Sequence, residues 1–569
     1  MLNTKITGLA MAVSLAFSLT GCVSTSNTNE GSAKIAVGDG NADTVLVKGD
    51  FYTVDPSNSQ AQAVAVKNGV IVYVGDMDGI SAFVGEQTDV IDLEGKFAMP
   101  AFVDSHLHPI TPSYANLFQA PLFDLTTTDA YLAAITKFAQ TAPSNDWIVG
   151  GGFEAGVFGS TGPSKDVLDT ILPGRAVAII DRDTHSILVN SKGLELMGIT
   201  KNTPTDVDGG GQIVKDKNGN PTGLLVDDAA MNLAYAFFPQ ATKTQYKESL
   251  KWMQAWLNRE GITTAHDAWV ETDPNYYQAF NELAQAGELT VRFRGSWYID
   301  PVGSQMDGTY IEQIDYGFEL SEGFKHPHFQ VNSFKFLSDG VLGFGSALEI
   351  DENGNIVGPE VWQQADMVKA FAKVDKAGFQ IHAHAVGDGA IQLTLDAMEA
   401  AQIQNGDRDS RHSIAHVELI TAADIIRMGN LGVSAHLTTS GFGSEGDYED
   451  LPAMTISNGS KEAPLKSLID ANVNVAIASD YGTSDPAPME SIYGAMTREG
   501  SEGTSLEEVL IAITLNGAKA NFLEAEIGSL EVGKKADIVV LSKDLFEIKT
   551  EDIPSVVIEQ TFFEGKKVH

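Results

Sequence analysis

Residues 98–109 read AMPAFVDSHLHP, an apolar run that ends in two histidines one residue apart. Successive side chains of a β-strand point to opposite faces, so His106 and His108 share a face at the C-terminal end of such a strand. Two imidazoles so placed can share one metal ion. A lone His-x-His is more often a pair of solvated loop histidines, and only polar residues at other strand ends can decide between the two.

Outward from this stretch, apolar strand-like runs alternate with amphipathic helical runs, the pattern of parallel βα units. Strands are expected at 176–180, 263–266, 290–296, 331–337, 380–384, 412–417, 432–436 and 473–479. Such a count suits a (β/α)8 barrel, in which catalytic groups gather at the strands' C-terminal ends. The path from His108 to Lys335 is too long for three βα steps, so an insertion over about 120–255 is expected, with WIVGGGF (147–153) and a Gly-rich turn at 208–211. Leaving the barrel near its site-bearing end, it is placed to cap a pocket. Short alternating strands with an Asn68-Gly69 turn fill 43–97, and a matching β-rich piece fills 521–569. One β-sandwich built from both termini around a barrel at 98–520 is therefore the expected α/β architecture.

The chain has 76 acidic and 37 basic residues, a formal charge of −39. A surface so acidic repels phosphate backbones and anionic membranes, which argues against nucleic-acid partners. Lys5 precedes an apolar run at 8–19 that is too short to span a bilayer and reads as a secretory signal (1–21). The run ends in Leu19-Thr20-Gly21-Cys22, which resembles a bacterial lipobox, and Cys22 is the single cysteine. Residues 22–42, rich in Ser, Asn, Thr and Gly, read as a flexible tether. The expectation is an exported protein without disulfides, facing the periplasm or cell surface and touching the membrane by its lipid anchor only.

Polar residues recur at the ends of the expected strands. Lys335 interrupts the apolar VNSFKFL, where burial of an ammonium needs a reason: an ion pair with Asp339, a snorkelling side chain, or a carbamate formed with carbon dioxide. His382 and His384 share a face, with His384 nearer the strand end; His416 lies beyond His412; and NVAIASD ends in Asp480. Each alone is more often a satisfied core or loop residue than a ligand. As an ordered set at different strand ends they are hard to obtain by chance.

This set, with HSILVNSKGLELMGI (185–199), GGGQIVKDKNGNPTGLLVD (209–227), GITTAHDA (261–268), FKFLSDGVL (334–342), HAVGDGA (384–390), ASDYGTSDP (478–486) and IGSLEVGKKADIVVL (527–541), resembles the amidohydrolase superfamily. Within it, the likeness is to the amidohydrolase-3 group that includes N-substituted formamide deformylases, over about 43–569. The resemblance implies a distorted (β/α)8 barrel and a centre of two divalent metal ions, zinc by default with iron or manganese open. His106, His108 and Asp480 would hold one ion and His384 and His416 the other, bridged by carboxylated Lys335. Some branches are mononuclear, and Lys335 is then structural. Two departures bear on the site: Ala415 and Gly389 stand where the group usually has an acidic residue and an Arg.

The activity implied is hydrolysis of a C–N bond in a small amide, formamide or cyclic amide. Asp480 would act as base then acid, and His185, His266 or His436 would stabilise the oxyanion, with His185 preferred for its family motif. A deaminase or esterase on the same centre, and a binding lipoprotein without chemistry, are the alternatives; a homo-oligomer is left open. His326-Pro327-His328 is read as a loop on the wrong side of its strand. Phe153, Phe158, Trp269, Tyr298, Phe344 and Tyr481 are candidates for an apolar pocket wall.

Overall fold

The structure, a computed structural model, describes residues 41–569 apart from 124, 143–146, 183, 208–210, 272, 302–307, 343–344, 441–454, 457–459 and 499. Cys22 and the whole expected signal, Phe344 and most of the 208–211 turn lie outside the described residues.

Eight parallel strands form a nearly closed barrel: β1 (Phe102–Leu107), β2 (Ile262–Val270), β3 (Arg292–Tyr298), β4 (Phe329–Leu337), β5 (Gln380–Ala385), β6 (Ser413–His416), β7 (Ser434–Thr438) and β8 (Val475–Ala478). They pair in chain order from β1 to β8. Covered by helices outside and by one another inside, strands of this kind are apolar nearly throughout, so a polar inward residue stands out. The β8–β1 seam carries side-chain and irregular bonds in place of a ladder: Ser105 Oγ donates to Ile477 O at 2.8 Å, and Ser479 N donates to the Asp104 carboxylate at 3.1 Å.

The outer helices are patterned for one buried face. Helix Lys243–Arg259 opens on a Thr242/Gln245 capping box and buries Leu250, Met253 and Leu257, spaced three and four apart. It shares the barrel's main core with Phe102 and Phe280. The inserted unit thus ends before it, short of the expected 255. Residues 120–226 instead make a seven-stranded sheet with separate apolar cores, one around Trp147, Ile187 and Leu225 and another around Tyr131, Phe153 and Ile179. The run expected at 176–180 is the strand Val177–Asp181 of this inserted sheet and not a barrel strand.

Both ends of the described chain feed one eight-stranded sheet. Strand Ile538–Leu541 pairs antiparallel with Phe97–Pro100, which itself leads into β1 through Ala101. The first barrel strand therefore starts from a position fixed by the far end of the chain.

Candidate metal centre

Six of the residues singled out above come to one end of the barrel. His106 and His108 leave β1, Lys335 lies on β4, His384 on β5, His416 closes β6, and Asp480 follows β8. Asp480 N donates to His106 O at 2.8 Å and His108 N to Tyr481 O at 3.2 Å, so the backbone itself holds the β1 and β8 ends together. His416 (φ 76°), Val417 (φ 50°) and Asp480 (φ 53°) adopt left-handed backbone. Such conformations cost on the order of 1–3 kcal/mol each in non-glycine residues and persist where the surroundings over-determine them. Here they aim two ligand-type side chains at one point.

That point is the Asp480 carboxylate. Oδ1 lies 3.4 Å from Nε2 of both His106 and His108, and Oδ2 lies 3.8 Å from Nδ1 of His416. The His384 and His416 rings are 4.4 Å apart between centroids. Ligand atoms of His106, His416 and Asp480 all fall within 4.8 Å of one another. His106 Nε2 is buried without a hydrogen-bond partner and faces the carboxylate. His384 Nε2 donates to the Gly340 carbonyl at 3.0 Å, and since a carbonyl only accepts, Nδ1 of this neutral ring is the free nitrogen. Converging imidazole nitrogens and a carboxylate, too far apart for good hydrogen bonds, fit a divalent cation such as zinc.

The electrostatics agree. Burial and then the neighbouring Lys335 charge hold His106 well below the usual imidazole range, and burial pushes His416 down to about 4, so both offer neutral ligand nitrogens at pH 7. Burial acts to raise the Asp480 pKa, but the facing His106, His108 and His416 imidazoles outweigh it and keep the group ionised. Lys335 is 2% exposed, and burial pushes its amine down to about 8 against the pull of Asp480. The Lys335–Asp339 ion pair, one of the alternatives for this lysine, is absent among the described residues. Asp339 instead accepts the backbone amides of Leu348, Val386 and Gly387, an arrangement that pins the turn after β5.

Other candidates sort by position. His185, in the insertion, reaches the site: its ring is 6.1 Å from that of His384, and its Nδ1 is 3.3 Å from Asp227 Oδ1. His266 is deep in the barrel with both ring nitrogens engaged, by Asn521 and Ser296, and has no donor left for an oxyanion. His436 Nδ1 donates to Ser105 O at 2.8 Å, which leaves its buried Nε2 an acceptor, the wrong polarity for that task. Of the segment read as a loop, His326 ends a two-residue strand, Lys325–His326, and His328 pairs with Glu564. Phe153 and Phe158 pack on each other in the insertion core, whereas Trp269 and Tyr298 stack at 3.7 Å at the C-terminal ends of β2 and β3. A Cβ on Gly389 would lie 2.9 Å from Ile356 Cγ2 and 3.0 Å from Leu348 O, so a larger residue there would require a neighbour to shift. Sequence reasoning overlooked Asp104, whose carboxylate bridges β1 to β8; its place two residues ahead of the first histidine was the available signal.

A family model described as "Amidohydrolase family" matches residues 89–569. Protein LONG AFTER FAR-RED 3 of Arabidopsis thaliana is 30% identical over 553 residues, covering 93% of this chain and 92% of its own. N-substituted formamide deformylase of Arthrobacter pascens is 26% identical, covering 92% and 97%. Among solved structures, a metal-dependent hydrolase from Pyrococcus furiosus superposes with a TM-score of 0.69 at 23% identity, over 88% of this chain and 99% of that one, a likeness of fold.

Proposed function

The chain belongs to the amidohydrolase family, and from that premise we propose that it is a metal-dependent hydrolase cleaving a C–N bond in a small amide, formamide or cyclic amide. The observation that carries the reading is the convergence of His106, His108, His384 and His416 around the ionised Asp480, beside a buried lysine with no carboxylate partner among the described residues.

In this reading His106, His108 and Asp480 would hold one divalent ion and His384 and His416 a second, and Lys335, as its carbamate, would supply a further anionic ligand. Burial favours the neutral amine that carbon dioxide requires. When bound, ions of this kind supply Lewis acidity, which makes water nucleophilic near neutral pH and polarises a carbonyl. Asp480, ionised at neutral pH, takes the proton released by the attacking water at a carboxylate oxygen and returns it to the leaving nitrogen. His185 donates a hydrogen bond to the developing oxyanion, oriented through Asp227. Its replacement, His185→Ala, is expected to lower kcat about 10²–10³-fold with ion content unchanged. A loss confined to KM would instead make it a binding residue.

Metal content of purified wild-type protein and of Lys335→Ala, prepared with zinc and bicarbonate, tests the centre. About two ions per chain should fall to one or none in the variant. One ion in both proteins would make Lys335 structural and turn the proposal to a mononuclear, deaminase-like mechanism. For the cell address we propose an exported protein lipid-anchored at Cys22, on the strength of residues 8–22; no described helix is long and apolar enough to cross a membrane.

A further inference from the structure

Below the proposed centre lies a layer of buried side chains, His266, His382, Ser413 and His436. His106 Nδ1 is 2.7 Å from His382 Nε2, and His382 Nδ1 is 2.8 Å from Ser413 Oγ. A neutral imidazole carries one N–H, so this chain of three groups has two consistent hydrogen assignments. In the first, Ser413 donates to His382, His382 donates to His106, and the His106 hydrogen must sit on Nε2, the atom that faces Asp480. That ring cannot ligate a cation through Nε2. In the second, His106 donates its Nδ1–H to His382 Nε2, His382 donates its Nδ1–H to Ser413, and the Ser413 hydroxyl turns to Ile381 O at 3.4 Å. His106 Nε2 then presents a lone pair to the centre.

The ring of His382 is locked in the plane that makes this possible. His266 stacks on one face at 4.8 Å and 20°, and His436 meets it at 5.0 Å and 75°. Both neighbours are themselves fixed. Asn521 Nδ2 donates to Gly517 O, so its Oδ1 must accept from His266 Nδ1, and Ser296 donates to the other His266 nitrogen. His436 donates to the Ser105 carbonyl on β1. The three rings thus form a rigid bed under the first ligand.

We infer that His382, backed by Ser413, is a positioning residue that sets the tautomer of His106 and so makes its Nε2 a metal ligand. Ion binding selects the second assignment, and the hydroxyl of Ser413 rotates as it does so. Partners of this kind to a ligating imidazole typically change ion affinity 10–100-fold when removed. The inference rests on the metal-centre reading above.

It is tested by titrating metal-free protein with zinc against a chromophoric chelator, for wild type, His382→Phe and His382→Gln, with far-UV circular dichroism and melting of the metal-free proteins alongside. Phe keeps the packing and removes the acceptor; it should weaken zinc binding about 10–100-fold while the fold is retained, and Gln, whose side-chain carbonyl can accept from His106, should recover part of the loss. Wild-type affinity in the Phe variant overturns the inference, as does an equal loss in both variants. If the Phe variant does not fold, Ser413→Ala decides: weakened binding supports the relay and unchanged binding overturns it. No zinc binding by the wild type would overturn the metal-centre reading and this inference with it, whereas tight wild-type binding and unaffected variants overturn this inference alone.

Discussion

Asp480→Asn is expected to lower kcat/KM by about 10³-fold or more on whichever amide, formamide or ester of a panel the wild type turns over. The substitution keeps the side chain's size and one oxygen, and Asn, like Asp, tolerates the left-handed backbone at this position. The amide cannot take a proton from water or return one to a leaving nitrogen. Ion content should fall only in part, because His106, His108, His384 and His416 remain, and metal analysis beside the kinetic assay separates the two effects. Asp480 is held well below the usual carboxylate range, so wild-type activity should not fall with decreasing pH through 4–5 on account of this group. Turnover of Asp480→Asn within about tenfold of wild type would remove Asp480 as the proton carrier and leave it a ligand only.

The histidine, lysine and aspartate positions were legible because of where they stand. A parallel barrel strand is buried on both faces, so Lys335, His384, His416 and Asp480 each break an apolar run at a place where a polar side chain needs a reason. The same logic reaches the family, whose resemblance rests on those residues and the motifs around them. What sequence could not give is long-range pairing. Nothing local says that His185 lies beside His384, that Asp104 serves the β8 end, or that Asp339 accepts three amides and not the Lys335 ammonium. The helix Lys243–Arg259 carries the same amphipathic signal whether it belongs to the insertion or to the barrel, and only its packing beside Phe102 and Phe280 decides. Left-handed backbone at His416 and Asp480 is likewise imposed by the fold, since neither residue type calls for it.

At the opposite end of the barrel, Asp537→Ala is expected to destabilise the protein by about 3–5 kcal/mol, read as a lower urea midpoint and melting temperature. The Arg292 guanidinium on β3 is 1% exposed; Nη1 donates to Asp537 at 2.8 Å and to Thr264 at 2.9 Å, and Nη2 donates to Glu564 at 3.1 Å. Burial works against that charge, and Asp537 with Glu564 more than compensates. Removing Asp537 leaves a buried cation with a weaker partner, and it also frees Glu564 N, which donates to Asp537 at 2.9 Å. Replacing both residues, Arg292→Met with Asp537→Leu, should cost less than Asp537→Ala alone, because no unpaired charge is then buried. Acid should loosen the same joint: burial would raise the Glu564 pKa, but His328, Lys535 and Arg292 hold it at about 2, so its contribution is present above its ordinary pKa and is lost as pH falls towards 2. These residues join β3 and β2 to the C-terminal sheet whose strand Ile538–Leu541 positions the start of β1. If Asp537→Ala also lowers zinc affinity at a temperature where it remains folded, the clasp at the barrel's base sets the register of His106 and His108; if only stability falls, the β1–β8 bonds suffice to hold them.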